Sequence, residues 1–389
     1  MTPAELTALV RAVAADGLPG SQAATPNQPL DPAAWHRLLG EVNRERITPL
    51  LARGITNGSF PATDAQTTQA LGLTTDALVA VLTLEATLLR VATTLERAAI
   101  SIRVLKGPAV AHLDYPDASL RDFGDIDLLI RSDDFDRAIG ILQEQGYVRR
   151  FPEPRAGFDR RFTKSVSLVS NDGQELDLHR TLAPGLFGMR VIVETLWDSP
   201  PQQFVLGGVM LPALGPAQRF LHACYHAALG NTPPRLVPQR DIAQMLLAGS
   251  VDADQVQTLA AAWRGEAVVK YAIATTWATL QLTDGVAALS SWAANHQSGP
   301  RQQRELARAT SPAYSYAAQA LDSIRAIRTV RGRLDYVSAL AFPRRSYLSG
   351  RHAGRTSRVG HAFSDLLAAR AAGPQLTRLP TSNAKENSD

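Results

Sequence analysis

The chain has 389 residues, of which 45% are hydrophobic and 20% charged, and its formal net charge is +4. This composition is that of an ordinary globular protein, and the length predicts two or three domains at roughly 100–200 residues each. The single cysteine excludes an internal disulfide, no export signal is visible, and no uncharged apolar run reaches the roughly 18 residues of a membrane span, so we expect a cytoplasmic protein without a membrane partner.

The N-terminal quarter is predicted to be helical. A short amphipathic helix covers residues 1–16, and a connector rich in Gly, Pro and Gln leads to Pro32. Two longer helical patterns then cover about 33–53 and 64–99. The apolar segment 71–100 is interrupted by charged residues, among them Asp76, Glu85, Arg90 and Glu96, and is expected to be a buried helix rather than a membrane span.

Strands and helices alternate in the next part of the chain. The β-rich stretch 100–105 predicts a strand that ends at Lys106-Gly107, and Pro108 suits the first turn of a short helix to Leu113. A polar loop then leads to a second strand over 126–130.

A second helix and a hairpin follow that strand. Ser132 is the predicted N-cap of a helix that ends at Gly146. Two strands, 165–170 and 174–179, are predicted on either side of a tight Asn-Asp-Gly turn.

The remaining residues are predicted to be helical over 214–370, and the polar end of the chain is expected to be disordered. The predicted fold class is α+β, with a small mixed β-sheet core flanked by N-terminal helices and a C-terminal helical domain. The predicted divisions are residues 1–32 (helix and linker), 33–99 (N-terminal helical region), 100–212 (sheet core), 213–372 (C-terminal helical domain) and 373–389 (disordered tail).

Two acidic residues, Asp125 and Asp127, lie at the start of the second predicted strand. Alternation along a strand sends both carboxylates to one face, where they repel unless a cation lies between them or one is protonated. Hard divalent cations such as Mg²⁺ bind carboxylates together with phosphate oxygens, so the pair favours a metal–nucleotide site. The alternative is a solvated sheet edge, which is the commoner meaning of an isolated pair of this kind.

The predicted hairpin supplies a third acid. In its second strand the leucines face the core, which leaves Glu175, Asp177 and His179 on the polar face. If this strand neighbours the one that carries Asp127, three carboxylates meet, and Asp177 is then available to share a metal and receive a proton from an attacking hydroxyl. His179 either orients Asp177 or ends the strand.

Basic residues near the acids are candidate phosphate ligands. The chain has 36 Arg and only four Lys, so Lys106 beside a glycine is conspicuous, and Arg121 lies four residues before Asp125. The alternatives are a solvated turn lysine and an arginine paired with Asp122 or Asp125. Thirteen arginines over residues 301–370 suit RNA, a nucleotide triphosphate or a solvated helical surface.

Two histidines and an aspartate in the helical part are ambiguous. His222 and His226 lie four apart with Cys224 between them, but no further ligand has the spacing of a zinc site, so packing or a place in the substrate pocket is the favoured interpretation. Asp241 is expected to cap its helix or to pair with Arg240 or Arg235, unless it lies in the pocket.

The order of these motifs resembles the uncharacterised nucleotidyltransferase family within the polymerase-β-like nucleotidyltransferase superfamily. The strongest similarity runs from 104 to 179, and it weakens over a wider span of roughly 35–365. The segments that carry it are LKG at 105–107, YP at 115–116, LR at 120–121, GDIDLLI at 124–130, GY at 146–147, ELDLH at 175–179, Trp35, HACYH at 222–226, RLVPQRD at 235–241, Phe342-Pro343 and Tyr347-Leu348.

The resemblance implies that residues 100–212 form a catalytic core. That core uses two divalent ions, Mg²⁺ or Mn²⁺, to move a nucleoside monophosphate from NTP to an acceptor hydroxyl with release of pyrophosphate. It assigns metal binding and catalysis to Asp125, Asp127 and the third carboxylate Asp177, and it matches Gly107 to the glycine of the phosphate-side turn. We predict that Lys106, Arg121 and Gly124 bind the nucleotide together with Gly107. One departure is Gly107-Pro108, where the superfamily usually has Gly-Gly or Gly-Ser, because proline lacks an N–H that could contact phosphate.

The acceptor is left open by the sequence. A small molecule or peptide is favoured, because relatives of the family resemble members of biosynthetic pathways. An RNA-directed enzyme of the toxin type is the first alternative, with the C-terminal arginines as a phosphate track. The second is a catalytically silent nucleotide-binding protein, against which the three intact aspartates argue.

Overall fold

The computed structural model describes residues 1–345 and 347, except residue 232 and residues 284–287. The helices are α1 (Pro3–Ala15), α2 (Pro32–Arg44), α3 (Thr48–Thr56), α4 (Asp64–Arg97), α5 (Lys106–Asp114), α6 (Phe135–Glu144), α7 (Asp159–Phe162), α8 (Gly185–Arg190), α9 (Thr195–Asp198), α10 (Pro216–Leu229), α11 (Leu236–Leu247), α12 (Ala253–Ala262), α13 (Glu266–Leu280), α14 (Ala288–Asn295), α15 (Pro300–Ala309), α16 (Tyr316–Ala326) and α17 (Val330–Ala341). The strands are β1 (Ile102–Leu105), β2 (Ile126–Ile130), β3 (Val148–Arg149), β4 (Ser165–Val169), β5 (Glu175–His179), β6 (Gln202–Leu206) and β7 (Val209–Ala213).

The seven strands form one mixed sheet in the order β3-β4-β5-β2-β1-β7-β6. The pairs β2–β5 and β1–β7 are parallel, and the other neighbours are antiparallel. The predicted α+β class with a mixed-sheet core is therefore confirmed. The predicted hairpin is also confirmed, because β4 and β5 pair antiparallel on either side of residues 170–174.

The sheet is held by an apolar core on one of its faces. Leu176 and Leu178 of β5 are fully buried, as their alternation with polar residues predicts. Leu128 of β2 and Leu88 of α4 belong to the same cluster of buried side chains. All five residues of β2 are buried, and the bounds of this strand coincide with the predicted strand over 126–130.

The predicted helix over about 33–53 is wrong, because the chain forms α2 and α3 there instead. Arg46 adopts the left-handed conformation, with φ of 57°, between the two helices. Pro49 has no N–H to donate to the carbonyl of Glu45, so one continuous helix would lose a backbone hydrogen bond at this point.

The predicted N-cap at Ser132 is also wrong. Residues 132–134 form a turn, in which the amide of Asp134 donates to the carbonyl of Arg131, and α6 begins at Phe135. Asp134 therefore occupies the N-cap position, and its side chain makes no capping hydrogen bond.

The sequence leads us to expect no segment long and apolar enough to cross a membrane. Helix α4 is an exception, because its length and composition alone would allow it to span one. About 44% of its most apolar 18-residue window is buried. Side chains of its C-terminal half, such as Leu88 and Leu95, pack into the sheet core, whereas Leu78 and Leu82 are exposed. The expectation of a buried helix over 71–100 therefore holds for the side chains between Leu84 and Leu95 that face the sheet, and not for exposed residues such as Leu78 and Leu82.

The N-terminal helices share a core with the C-terminal helices. Trp35 of α2, Phe220 of α10 and Trp263 after α12 belong to one cluster of buried side chains. The division of the chain into five segments stays a prediction, and the predicted tail at 373–389, Leu348 and the arginines beyond Arg345 lie outside the described residues.

Candidate active site

The site is built where β2 and β5 run side by side. In their parallel register Asp127 lies directly opposite Asp177. Asp127 is buried, with 1% of its surface exposed, and Asp177 is half-buried. Asp127, Asp177 and His179 each offer a ligand atom within 4.8 Å of the others. The predicted pairing of the two acid-bearing strands is therefore present.

Asp127 is held by two basic side chains. The Nζ atom of Lys106 and the Nε2 atom of His179 both lie 2.7 Å from its Oδ1 atom. Burial acts to raise the pKa of Asp127, but the charge of Lys106 and the hydrogen bond from His179 outweigh it and hold that pKa well below its usual range. Asp127 is therefore ionised at neutral pH.

Asp125 precedes β2 and is half-buried. The negative charge of Asp127 and then burial raise the pKa of Asp125 to about 6, although Lys106 acts in the opposite direction. This is the repulsion expected of two acids at this spacing. Within the described residues, however, the closest group of possible ligands contains His179 in place of Asp125.

Lys106 is the first residue of α5 and has a positive φ of 41°. Burial lowers its pKa, but the charges of Asp127 and Asp125 more than compensate, so the ammonium stays charged. The solvated-turn alternative is excluded by the ion pair with Asp127. Gly107 follows, and a Cβ there would lie 2.8 Å from the ring of Phe123, so close packing requires the glycine.

Arg121 is buried in an ion pair away from solvent. Its Nε and Nη2 atoms lie 2.8 Å from the two carboxylate oxygens of Asp241, and the Tyr115 hydroxyl donates to the same carboxylate at 2.9 Å. The prediction that Arg121 contacts phosphate is not supported by this position, because the guanidinium fork is already bound. The carboxylates of Asp122 and Asp125, the alternative ion-pair partners considered, are not the ones observed, although Nη1 of Arg121 donates to the backbone carbonyl of Asp122.

The observed partner of Asp241 also differs from expectation. Arg240 points the other way and donates to the backbone carbonyls of Ala14 and Asp16. Arg235 donates to the carbonyl of Arg44. Asp241 therefore pairs with a residue 120 positions upstream rather than with either neighbouring arginine.

Three further residues, His179, Ser167 and Lys164, contribute to the site, and the last two have no predicted role. His179 is the last residue of β5, as one of its two predicted roles has it. It contacts Asp127 and lies 4.0 Å from Asp177, so it orients a different acid from the one expected. The hydroxyl of Ser167 donates to Oδ1 of Asp177, a contact that the predicted hairpin register could have indicated. Lys164 lies near the acids, and burial followed by the charge of Lys106 lowers its pKa.

The two histidines of α10 lie close behind the site. His222 and His226 are largely buried, and burial lowers the pKa of each well below its usual range, so both are neutral. The ring of His222 lies 6.0 Å from the ring of His179. Within the described part of the chain, neither histidine belongs to the group of possible metal ligands.

Gly124, which immediately precedes Asp125, lines a cleft of about 790 Å³. A Cβ at position 124 would overlap the guanidinium of Arg46, which reaches over this glycine from the turn between α2 and α3. The cleft is lined by Asn43, Arg44, Arg46, Leu73, Asp76, Ala77, Ala80, Thr83, Leu84, Asp122, Phe123, Gly124, Gly173, Gln174, Glu175 and Arg235.

A second cavity, of about 250 Å³, lies beside β4. Ser167, which contacts Asp177, forms part of its wall together with Ser165. Aromatic residues from two other parts of the chain, Phe151 and Tyr316, line it as well. The residues that line the two cavities do not include Asp125, Asp127 or Asp177, but each cavity contains a neighbour of one of these acids: Gly124 precedes Asp125, and Ser167 donates to Asp177.

Comparison with known proteins gives a family and a weak structural likeness. The family model described as "Uncharacterised nucleotidyltransferase" matches residues 31–281. Among solved structures, the antibiotic-resistance factor ANT(2'')-Ia is 15% identical, with 48% of this chain and 94% of that chain covered and a TM-score of 0.33. An antigenic nucleotidyltransferase-like protein from Paracoccidioides brasiliensis is 14% identical, with 51% and 93% covered and a TM-score of 0.31. No curated protein matches the chain significantly.

Proposed function

Because the chain belongs to the uncharacterised nucleotidyltransferase family, we propose that it is a metal-dependent enzyme that moves a nucleoside monophosphate from NTP to an acceptor hydroxyl. The observation that carries the proposal is the parallel register of β2 and β5, which sets Asp127 opposite Asp177. Two carboxylates held side by side are an arrangement that binds a divalent cation together with the phosphates of a nucleotide.

The donor set fits a hard divalent cation. Asp127, Asp177 and Asp125 offer carboxylate oxygens, the ligands that Mg²⁺ and Mn²⁺ favour. Lys106 and His179 both contact Oδ1 of Asp127, so Oδ2 would be the oxygen available to a metal. When bound, such an ion stabilises negative charge that develops on phosphate oxygens.

The side chains around the acids have separate roles in this mechanism. Lys106 and His179 keep Asp127 ionised and fix its orientation. Ser167 donates to Oδ1 of Asp177, so Oδ2 is the atom that accepts the proton of the acceptor hydroxyl. The acceptor oxygen then forms a bond to the α-phosphorus as the bond from that phosphorus to the bridging oxygen breaks, and pyrophosphate leaves with that oxygen.

The acceptor is proposed to be a small molecule or a short peptide. The 250 Å³ cavity supports this, because its wall includes Ser167 next to the proposed proton acceptor Asp177, and its size suits a small group rather than a folded RNA. RNA remains the alternative acceptor. In the described part of the chain, Arg308 and Arg325 of the C-terminal region are paired with Asp322, which reduces their availability to phosphate.

The proposal is tested by incubating the protein with each α-³²P-labelled NTP, Mg²⁺ or Mn²⁺, and cell extract separated into RNA, protein and small-molecule fractions. We expect label in the small-molecule or peptide fraction with wild type and none with Asp127→Asn. Label in the RNA fraction would support nucleotidyl transfer but would show that the acceptor is RNA rather than a small molecule or peptide. Equal labelling by wild type and Asp127→Asn in every fraction would show that these acids catalyse no transfer. A cytoplasmic location stays a prediction, which fractionation of cells that express the chain would test.

A further inference from the structure

The two cations predicted to bind phosphate are already engaged by acids. Lys106 contacts Asp127, and both ends of the Arg121 fork contact Asp241. A nucleoside triphosphate carries several negative charges, which a protein site usually balances with cationic side chains as well as metal ions. Lys164 is half-buried near the acids and balances part of their charge. A solvent-exposed cation beside the acids would add to this balance for a triphosphate if the proposed reaction takes place there.

Arg46 has the position that such a cation requires. Its side chain is exposed and its guanidinium lies against Gly124, the residue immediately before Asp125. It is close enough to act on the pKa values of Asp122 and Asp125, which its charge tends to lower. Arg46 therefore adds positive potential at the point where the acid-bearing strand opens into the 790 Å³ cleft.

The backbone around Arg46 explains how the side chain is placed. Arg46 has a φ of 57°, a left-handed conformation that residues other than glycine rarely adopt. The amide of Arg46 donates to Asn43, and the amide of Ile47 donates to Val42, so the turn between α2 and α3 is fixed by hydrogen bonds. This turn directs the arginine from the N-terminal helical region onto the sheet.

Several other charged residues of the cleft already have partners. Arg44 is paired with Glu41 and Glu45. Glu175 is paired with Arg150. Asp76, Asp122 and Arg235 also line the cleft, and Arg235 donates one hydrogen bond to the backbone. Within the described residues, Arg46 has no carboxylate within ion-pair distance.

We propose that Arg46 binds the triphosphate of the nucleotide substrate in this cleft, an inference that rests on the proposed nucleotidyl transfer. A planar guanidinium matches phosphate oxygens with two parallel hydrogen bonds, which a lysine ammonium cannot reproduce. The substrate-binding surface is then shared between the sheet core and the N-terminal helical region. Gly124 has a defined part in this arrangement, because a side chain there would displace the arginine.

The test measures binding of magnesium tripolyphosphate by isothermal titration calorimetry, because this probe needs no choice of base and no acceptor. The variants are Arg46→Gln, Arg46→Lys and the control Arg37→Gln, which removes an exposed arginine of α2 away from the cleft. We expect affinity to fall about 10- to 100-fold in Arg46→Gln, the loss typical of a charge-assisted phosphate contact, and by a smaller factor in Arg46→Lys. Arg37→Gln should bind as wild type does.

The outcomes separate this inference from the proposed function. Tripolyphosphate binding that is equal in wild type and Arg46→Gln would overturn the inference even if wild type transfers label. Weakened binding in Arg46→Gln without any transfer by wild type would support a phosphate site and reject the reaction. If wild type transfers label, a raised KM for NTP with little change in kcat is expected for Arg46→Gln. If Arg46→Gln does not fold, Arg46→Lys, which keeps the charge and length, decides by the same measurements.

Discussion

Replacing Asp241 by asparagine should destabilise the protein strongly, because it removes the charge that balances Arg121. Arg121 is 6% exposed and Asp241 is 3% exposed, so neither group is solvated by bulk water. Asparagine has nearly the shape of aspartate but cannot accept two charge-assisted hydrogen bonds from the guanidinium fork. The arginine then stays buried and charged without a counter-ion.

The expected loss is about 3–5 kcal/mol in the free energy of unfolding, the range for breaking a buried ion pair from one side. Glu41→Gln is the matched control, since its carboxylate lies 2.6 Å from Arg44 but that pair is exposed, and its loss should cost less than about 1 kcal/mol. Urea unfolding followed by tryptophan fluorescence measures both. A loss for Asp241→Asn as small as that for Glu41→Gln would refute the assignment of Arg121 to a buried pair.

The double variant Arg121→Met with Asp241→Leu separates a structural role for Arg121 from phosphate binding. Replacing both partners by apolar residues removes the uncompensated charge, so most of the lost stability should return. Tripolyphosphate affinity of the folded double variant should equal that of wild type. A folded double variant that has lost this affinity would make Arg121 a phosphate ligand after all.

Three further predictions follow from the site and its surroundings. Asp177→Asn should lower kcat for transfer by about 100-fold or more, because it removes the proton acceptor, and Ser167→Ala should lower kcat much less. Equal effects of the two variants in a steady-state assay would contradict these roles. Gly124→Ala should weaken tripolyphosphate binding several-fold, because the added methyl group displaces the guanidinium of Arg46. The unfolding midpoint should not change, since the displaced group is the flexible end of a side chain. Unchanged affinity by calorimetry would argue against phosphate binding by Arg46 at this position. The pKa of His226 lies well below 6.5 because the side chain is buried, so His226 is protonated at a higher pH in the unfolded chain than in the folded protein. The free energy of unfolding should therefore fall as pH drops below about 6.5, by up to about 1.4 kcal/mol per pH unit for this group. In urea unfolding between pH 5.5 and 7.5, His226→Gln should show a smaller change of this free energy with pH than wild type does.

The elements that the sequence predicts well are those whose signal is local. Strand β2 has the bounds that its sequence predicts, and all five of its residues are buried. The hairpin β4–β5 also forms as predicted, because its turn residues and its alternation of polar and apolar residues indicate the same structure. The facing of Asp127 and Asp177 followed from alternation once the two strands were assumed to be neighbours. Local patterns therefore located the acids of the site.

The errors concern contacts between residues far apart in the chain. Arg121 and Asp241 are 120 positions apart, and no local pattern indicates that α11 brings them together. The position of Arg46 depends on a left-handed turn that separates α2 from α3, where helical periodicity suggested one helix. His179 and Lys106 both lie in predicted elements, but only the packed sheet shows that they meet on one oxygen of Asp127.

The central claim is that carboxylates from β2 and β5 together bind a divalent cation for nucleotidyl transfer. Titration of the protein with Mn²⁺, followed by loss of the electron paramagnetic resonance signal of the free ion, tests it directly in wild type, Asp127→Asn, Asp177→Asn and the control Asp133→Asn. Asp133 is an exposed residue in the turn after β2. We predict that either site variant weakens Mn²⁺ binding at least about 10-fold while Asp133→Asn binds as wild type does. Equal Mn²⁺ binding by all four proteins would contradict the claim.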